Sequence, residues 1–316
     1  MVNRREFLRT AGAAGTATLA GVAGCLGGTG SAVTFVLTPA ESDVDVQAQY
    51  RGLFSYLETE TDAEIESTVA ADYTAVYQAL RNDRVELADA SPTLAVVGGD
   101  EGTLDVIGIR VAFGSAKYFS FLTTTPDSSI ESLADLDGEA VAFADRLSTS
   151  GSLFPLYMLR QAGLDVGDAP SGDPVDFEGR WSGSHDQSVS SLINRDEIVA
   201  GGSGAFVAMP HVPAAQLPQR VVDVAPGSDD AGTEDPSLDL LQASEPIPRA
   251  PIVARSNWDA TIRSDLETAL LGATESDLQG GTAEEEIWFT GVESATVDDY
   301  EPVANVKETL GLEFGN

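Results

Sequence analysis

Phe143-Ala144-Asp145-Arg146-Leu147-Ser148-Thr149-Ser150-Gly151 is the end of an apolar strand that runs into a hydroxyl-rich turn and then opens a helix. The first turn of a helix carries N–H groups with no partner inside the helix and a partial positive charge of about half an electron. Three consecutive hydroxyls and a glycine at such a junction can surround a tetrahedral oxyanion with donors. The same residues also fit simple N-capping by Ser148 or Ser150. On either reading this is a strand–turn–helix unit, and the flanking sequence extends it. Residues 140–143 are apolar throughout, and Gly138 stands where a turn glycine belongs. Downstream, Leu153, Leu156, Tyr157 and Leu159 give a helix over 150–161 its apolar face, and Gly163 follows in the place of a left-handed cap.

The alternation continues in both directions. Short β-rich runs predict strands at 33–37, 65–69, 85–88 and 106–111. Apolar residues at helical spacing predict helices from Val46 to Leu57 and from Tyr73 to Leu80, the second capped by Asp72, and Ser91-Pro92 opens another. After Tyr118 the rhythm restarts with a strand at 119–123 and a helix around 130–136. A helix at 185–193, a strand at 198–201, a solvated loop at 226–237, a strand at 252–255 and helices at 260–271 and 283–289 complete the pattern. Such an order predicts α/β architecture, with mainly parallel sheets flanked by helices. Two extended passes, near 116–121 and 244–253, divide the chain into two lobes: 33–117 plus 251–316, and 118–250.

Composition narrows the function. The chain has 316 residues, 42% of them hydrophobic, enough to bury a sizeable core. Against 51 acidic side chains stand 17 basic ones, for a formal net charge of -34. A nucleic-acid partner is excluded for want of a basic face, and the even spread of acids reads as a salt-adapted surface. One cysteine, Cys25, and two histidines, His185 and His211, cannot build a disulfide framework or a Cys/His zinc cluster. No metal and no cofactor is expected.

The first residues read as an address. Arg4-Arg5 with Phe7-Leu8 precede a weakly apolar, Gly-rich stretch too short for a permanent membrane span, the pattern of a twin-arginine signal peptide over 1–24. Val22-Ala23-Gly24-Cys25 has the form of a lipobox, so Cys25 is the expected lipidation site and 25–32 a short tether. The alternative is an ordinary cysteine near a domain start. The expected location is the outer face of the cell membrane, lipid-anchored after export.

A resemblance sharpens this picture. Ser148-Thr149-Ser150-Gly151, the preceding Leu133-Ala134-Asp135-Leu136-Asp137-Gly138, Gly183-Ser184-His185-Asp186, Ala71-Asp72-Tyr73 and Lys117-Tyr118 together resemble the phosphonate-binding solute receptors of ABC importers, over roughly residues 33–256. That resemblance implies a two-lobed type II periplasmic-binding fold joined by two crossing strands, with the ligand in the cleft. It implies that Ser148, Thr149 and Ser150 bind phosphoryl oxygens, that His185 assists, and that Tyr73 and Tyr118 donate from the facing lobe. It also implies a membrane permease and its cytoplasmic ATPase as partners of a monomeric receptor. His185 can also be a capped helix start, and both tyrosines packing residues with one wet end. Receptors of aminoalkyl phosphonates are expected to present carboxylates after His185 and at the second crossing. Here residues 199–205 contain no acid and the crossing reads Pro248-Arg249-Ala250-Pro251. The expected ligand is therefore a phosphorus oxyanion with no cationic tail, with Arg249 either an extra anion contact or a solvent-exposed hinge charge.

Three other readings compete. Ser184-His185-Asp186 holds the residue types of a serine triad, but sequence neighbours cannot form the relay, and Gly201-Gly202-Ser203-Gly204-Ala205 misses the nucleophile-elbow pattern at its last position. A receptor of the same fold for a sulfonate, nitrate or a thiamine precursor is the second rival. A lipid-anchored sensor or adhesion module is the third. Binding and delivery, without catalysis, is the expectation.

Overall fold

The computed structural model describes residues 31–112, 114–224, 230–234, 237–279 and 286–311. The expected signal peptide, Cys25 and most of the tether lie outside the described residues, as does much of the expected loop at 226–237. In chain order the strands are β1 (Ser31–Leu37), β2 (Ala63–Val69), β3 (Leu87–Asp89), β4 (Leu104–Val111), β5 (Lys117–Tyr118), β6 (Ser120–Thr124) and β7 (Ala140–Phe143). They continue with β8 (Glu178–Trp181), β9 (Ile198–Gly204), β10 (Asp239–Ala243), β11 (Ile247–Pro248), β12 (Pro251–Arg255) and β13 (Gly291–Ser294).

Two larger sheets result among the described residues. The first has the order β13-β4-β12-β3-β1-β2 and the second β10-β6-β9-β7-β8. In the first, β1 pairs parallel with β2 and β3, and β12 enters antiparallel between β3 and β4. In the second, β7 pairs parallel with β8 and β9, and β6 enters antiparallel between β9 and β10. Each sheet thus keeps most strands in one direction and receives, next to its third strand, the strand that follows a crossing. β5 and β11 pair with each other alone, Tyr118 opposite Ile247, and form the two-stranded ribbon between the sheets.

Burial follows the pattern of the sequence. β6 and β7 are buried along their whole length, as expected of apolar strands covered on both faces. Phe35, Tyr50, Leu53, Phe54 and Leu266 fill one side of the first sheet, and Val36, Val76, Leu80 and Val253 the other. Leu122, Val141, Phe143 and Leu156 fill one side of the second sheet, and Phe121, Ala142, Val189 and Leu192 the other. The helix Glu301–Leu310 packs on the helices Pro92–Asp100 and Phe154–Gln161, so the end of the chain touches both halves.

Several local expectations change. The helix expected around 130–136 is only a short 3-10 turn, Leu133–Leu136, because the Asp135 carboxylate turns back onto the N–H groups of Glu131 and Ser132 and Gly138, at φ +82°, ends it. The helix expected at 283–289 does not form over its described part, Glu286 to Phe289, and residues 283–285 lie outside the described residues. The helix expected to start at Ser150 begins instead with a wide π-type turn, Thr149–Leu153, before the α-helix Phe154–Gln161. Pro155 explains this start. It has no N–H to return to the Gly151 carbonyl, which accepts from Ala144 N–H at 3.0 Å and ties the turn back to β7.

Candidate anion-binding site

A cavity of about 310 Å³ opens between the ends of the two sheets. Helix starts surround it: Tyr73 is the first residue of the helix Tyr73–Arg81, Ser91 caps Pro92–Asp100, Ser148 caps the wide turn, and His185 begins His185–Asn194. These helix starts bring the positive ends of their dipoles to the cavity, which favours a negative guest despite the acidic surface; in the Pro92–Asp100 helix the N–H groups of Thr93 and Leu94 are already taken by Thr149 Oγ1 and Ser91 Oγ. All seven residues singled out in the sequence for ligand binding line this cavity: Tyr73, Tyr118, Ser148, Thr149, Ser150, His185 and Arg249.

Within the cradle the three hydroxyls have different tasks. Ser148 Oγ accepts from Gly151 N–H at 3.1 Å and lies 3.2 Å from His185 Nε2, so capping and lining coincide in one side chain. Thr149 Oγ1 accepts from Thr93 N–H at 2.9 Å and shares a 2.8 Å bond with Thr93 Oγ1, which joins the second sheet's turn to the first sheet's helix. Ser150 is not the cap; its carbonyl accepts from Ser120 Oγ at 2.6 Å, and its hydroxyl faces the Tyr118 phenol. Among the described residues no protein acceptor takes the N–H of Thr149 or Ser150, the expected state of a first helical turn. Gly151 is required by proximity: an added Cβ would stand 2.4 Å from Ala144 Cβ and 2.9 Å from His185 Cε1.

His185 is buried, and its Nδ1 accepts from Gly204 N–H at 2.9 Å. A backbone N–H can only donate, so the proton of the neutral ring sits on Nε2 and points at Ser148 and the cavity. Burial lowers its pKa to about 4, with Asp186 opposing. The ring therefore offers the cavity a single donor. Phe206 packs edge-on against the ring at 5.0 Å. Ser184 makes no side-chain cap bond to this helix.

On the opposite wall, burial and then the Asp145 carboxylate hold the buried Tyr73 phenol well above its ordinary pKa. Burial pushes Tyr118 up to about 12, against the Ser150 hydroxyl and the Arg249 and Arg110 cations. Both phenols therefore stay protonated and able to donate. Arg249 is only 7% exposed, which removes the alternative of a solvent-exposed hinge charge. Sequence reading missed two neighbours. Arg110 is buried in an ion pair with Asp89 at 2.5 Å, and Glu41 is a half-buried carboxylate whose pKa is raised by burial and by Asp186. Neither carried a local signal, since β4 reads as an ordinary strand and Glu41 as loop.

A family model for the periplasmic substrate-binding proteins of phosphonate ABC transporters matches residues 35–300. The chain belongs to this family. Among curated relatives of these receptors, the phosphate-import protein PhnD of Mycolicibacterium smegmatis is 32% identical over 172 residues, 52% of this chain and 52% of the relative. The phosphonates-binding periplasmic protein of Escherichia coli is 25% identical over 175 residues, 54% and 49% of the two chains. The chain spans about half the length of the curated relatives it matches. Two solved structures share the fold: a binding protein component of an ABC phosphonate transporter from Pseudomonas aeruginosa, and PhnD1 from Prochlorococcus marinus in complex with methylphosphonate. The first has a TM-score of 0.66 at 20% identity, covering 89% of this chain and 86% of that one. The second has a TM-score of 0.67 at 17% identity, covering 89% and 98%. The fold is thus that of a periplasmic binding protein.

In this family member the two halves touch directly at the rim of the cavity. His185 N–H donates to the Ala40 carbonyl at 3.2 Å, Ser91 Oγ to the Leu147 carbonyl at 3.3 Å, and Ser42 N–H to Asp186 Oδ1 at 3.0 Å. Gln187 Nε2 reaches Ser42 Oγ at 3.1 Å. Chemically, the cavity offers hydroxyl, phenol and imidazole donors together with the Arg249 guanidinium, and no activated nucleophile. Ser148 and His185 are close enough to suggest a serine–histidine pair, but with the proton on Nε2 the ring cannot take one from Ser148, and no carboxylate holds Nδ1.

Proposed function

We propose that this protein captures a small phosphorus oxyanion, a phosphonate, phosphite or phosphate, and delivers it to a membrane permease served by a cytoplasmic ATPase. Residues 33–117 plus 251–316 form one lobe and 118–250 the other, and they close on the ligand about the crossing ribbon. The observation that carries this reading is the buried cradle Ser148-Thr149-Ser150, in which the N–H groups of Thr149 and Ser150 have no protein acceptor among the described residues, lining a cavity shared with Tyr73, Tyr118 and a singly donating His185. Thr149 and Ser150 N–H, His185 Nε2–H, the two phenols and a serine hydroxyl supply six donors. Charge-assisted hydrogen bonds contribute about 1.5 to 3 kcal/mol each, and micromolar capture needs about 8 kcal/mol after the costs of closure. The ligand leaves unaltered, because the site holds no group poised to attack it. Export by the twin-arginine route, lipidation at Cys25, a tether over 25–32 and a monomeric receptor in a salty milieu complete the proposal, supported by the sequence alone.

Calorimetry with phosphate, phosphite, methylphosphonate and aminoethylphosphonate in molar salt tests it. Binding of at least one of the first three, weakened by Ser148→Ala, is the expected result. Binding of none of them, or of a sulfonate or nitrate instead, overturns it.

A further inference from the structure

We propose that Arg249 holds a second anionic group of the ligand, so that the preferred solute is a small phosphonate bearing a carboxylate or another phosphoryl group near its phosphoryl head. This rests on the function proposed above. Arg249 lines the cavity and is fixed there from several sides. Its Nε donates to the Ser115 carbonyl at 2.9 Å, its backbone N–H to Ala116 at 2.8 Å, and its carbonyl accepts from Tyr300 Oη at 2.8 Å. Among the described residues no carboxylate pairs with the guanidinium, and its two terminal nitrogens make no hydrogen bond.

That isolation is unusual for this chain. Acids outnumber basic side chains 51 to 17, and the other buried or half-buried arginines among the described residues are paired: Arg110 with Asp89, Arg255 with Glu86, Arg263 with Asp105 and Glu267. A buried cation without a counter-ion is costly, and an anionic guest in the cavity removes that cost. Burial lowers the pKa of Arg249 to about 10, with Tyr118 opposing and Arg110 adding to the effect, so it remains charged at neutral pH.

Position separates this contact from the phosphoryl cradle. Tyr118 turns its hydroxyl to Ser150, while the guanidinium carbon of Arg249 lies 5.9 Å from the centre of the Tyr118 ring and 5.8 Å from that of Trp288. The two rings flank the guanidinium, and its terminal nitrogens remain for a planar anion to engage in bidentate fashion. The other charges of the cavity do not cancel it. Asp89 is held by Arg110 and Tyr50, Glu41 lies beside Asp186, and Asp230 is exposed.

Titration calorimetry of the full mature chain in molar salt, with methylphosphonate and phosphonoacetate, tests the assignment. Phosphonoacetate is expected to bind about tenfold or more tighter than methylphosphonate to the unaltered protein, the increment of one charge-assisted contact. Arg249→Gln is expected to remove most of that advantage, phosphonoacetate losing about tenfold more affinity than methylphosphonate. Equal affinities in the unaltered protein, or an equal loss for both ligands in the variant, would overturn the inference. The first comparison needs no variant and decides the matter even where Arg249→Gln fails to fold. Binding of neither phosphonate while phosphate or phosphite binds would overturn the inference alone, and binding of none of the four would overturn the function on which it rests, which keeps the two failures distinct.

Discussion

His185 shows how a single side chain joins stability to ligand recognition. Its Nδ1 is consumed by Gly204 N–H, and burial lowers its pKa from 6.5 to about 4. In the unfolded chain the imidazole takes a proton as pH falls through 6.5, whereas the folded protein refuses it until about 4. The neutral ring's contribution is therefore complete above pH 6.5 and is lost on acidification. Between pH 7 and pH 5 the loss is about 2 kcal/mol. Melting curves across that interval should fall for the unaltered protein and stay flatter for His185→Gln; parallel curves would contradict the buried neutral ring. The sequence put His185 beside the cradle, but its tautomer depends on a strand 19 residues later and could not be read locally.

Elements were most legible where they cap themselves. Asp72 accepts from Ala75 N–H at 2.7 Å and starts the helix at Tyr73, as its position before an apolar 3.6-residue pattern predicts. Asp72→Ala should cost about 1 kcal/mol of stability in a denaturant titration. It should also weaken ligand binding, because Tyr73 occupies the first turn that the cap holds in place. Unchanged affinity with the stability loss intact would show that Tyr73 is held by packing alone. Other elements escaped notice for physical reasons. β8 reads Glu178-Gly179-Arg180-Trp181 and is an edge strand, so half of it faces water and its pattern lacks apolar weight. β13 lies at the edge of the other sheet with two exposed residues. The wide turn at Thr149–Leu153 reads as plain helix until Pro155 is weighed as a missing donor to Gly151.

At the scale of the whole molecule, a net charge of -34 surrounds a cavity built for an anion. The two coexist because long-range repulsion is screened within about 3 Å at molar salt, while donors touching the ligand are not screened. Lowering salt from about 2 M to about 0.1 M lengthens the screening distance and sets the acids against one another. A fall of about 10 °C in Tm, a loss of several kcal/mol, is expected in a thermal scan across that range, and a flat profile would refute a salt-adapted surface. By itself the sequence determined the strand–helix alternation, the hydroxyl turn after β7, the capped helix starts and the acidic surface. These follow from hydrogen bonds and periodicities within a few residues, which leave their mark in local order. Only the tertiary structure decided that Thr149 meets Thr93 across 56 residues, that Arg249 is buried against Ser115 across 134, and that no described acid pairs with it. Contacts between distant segments arise from how two sheets and their crossing strands pack, and no local spacing records which side chains that packing brings face to face.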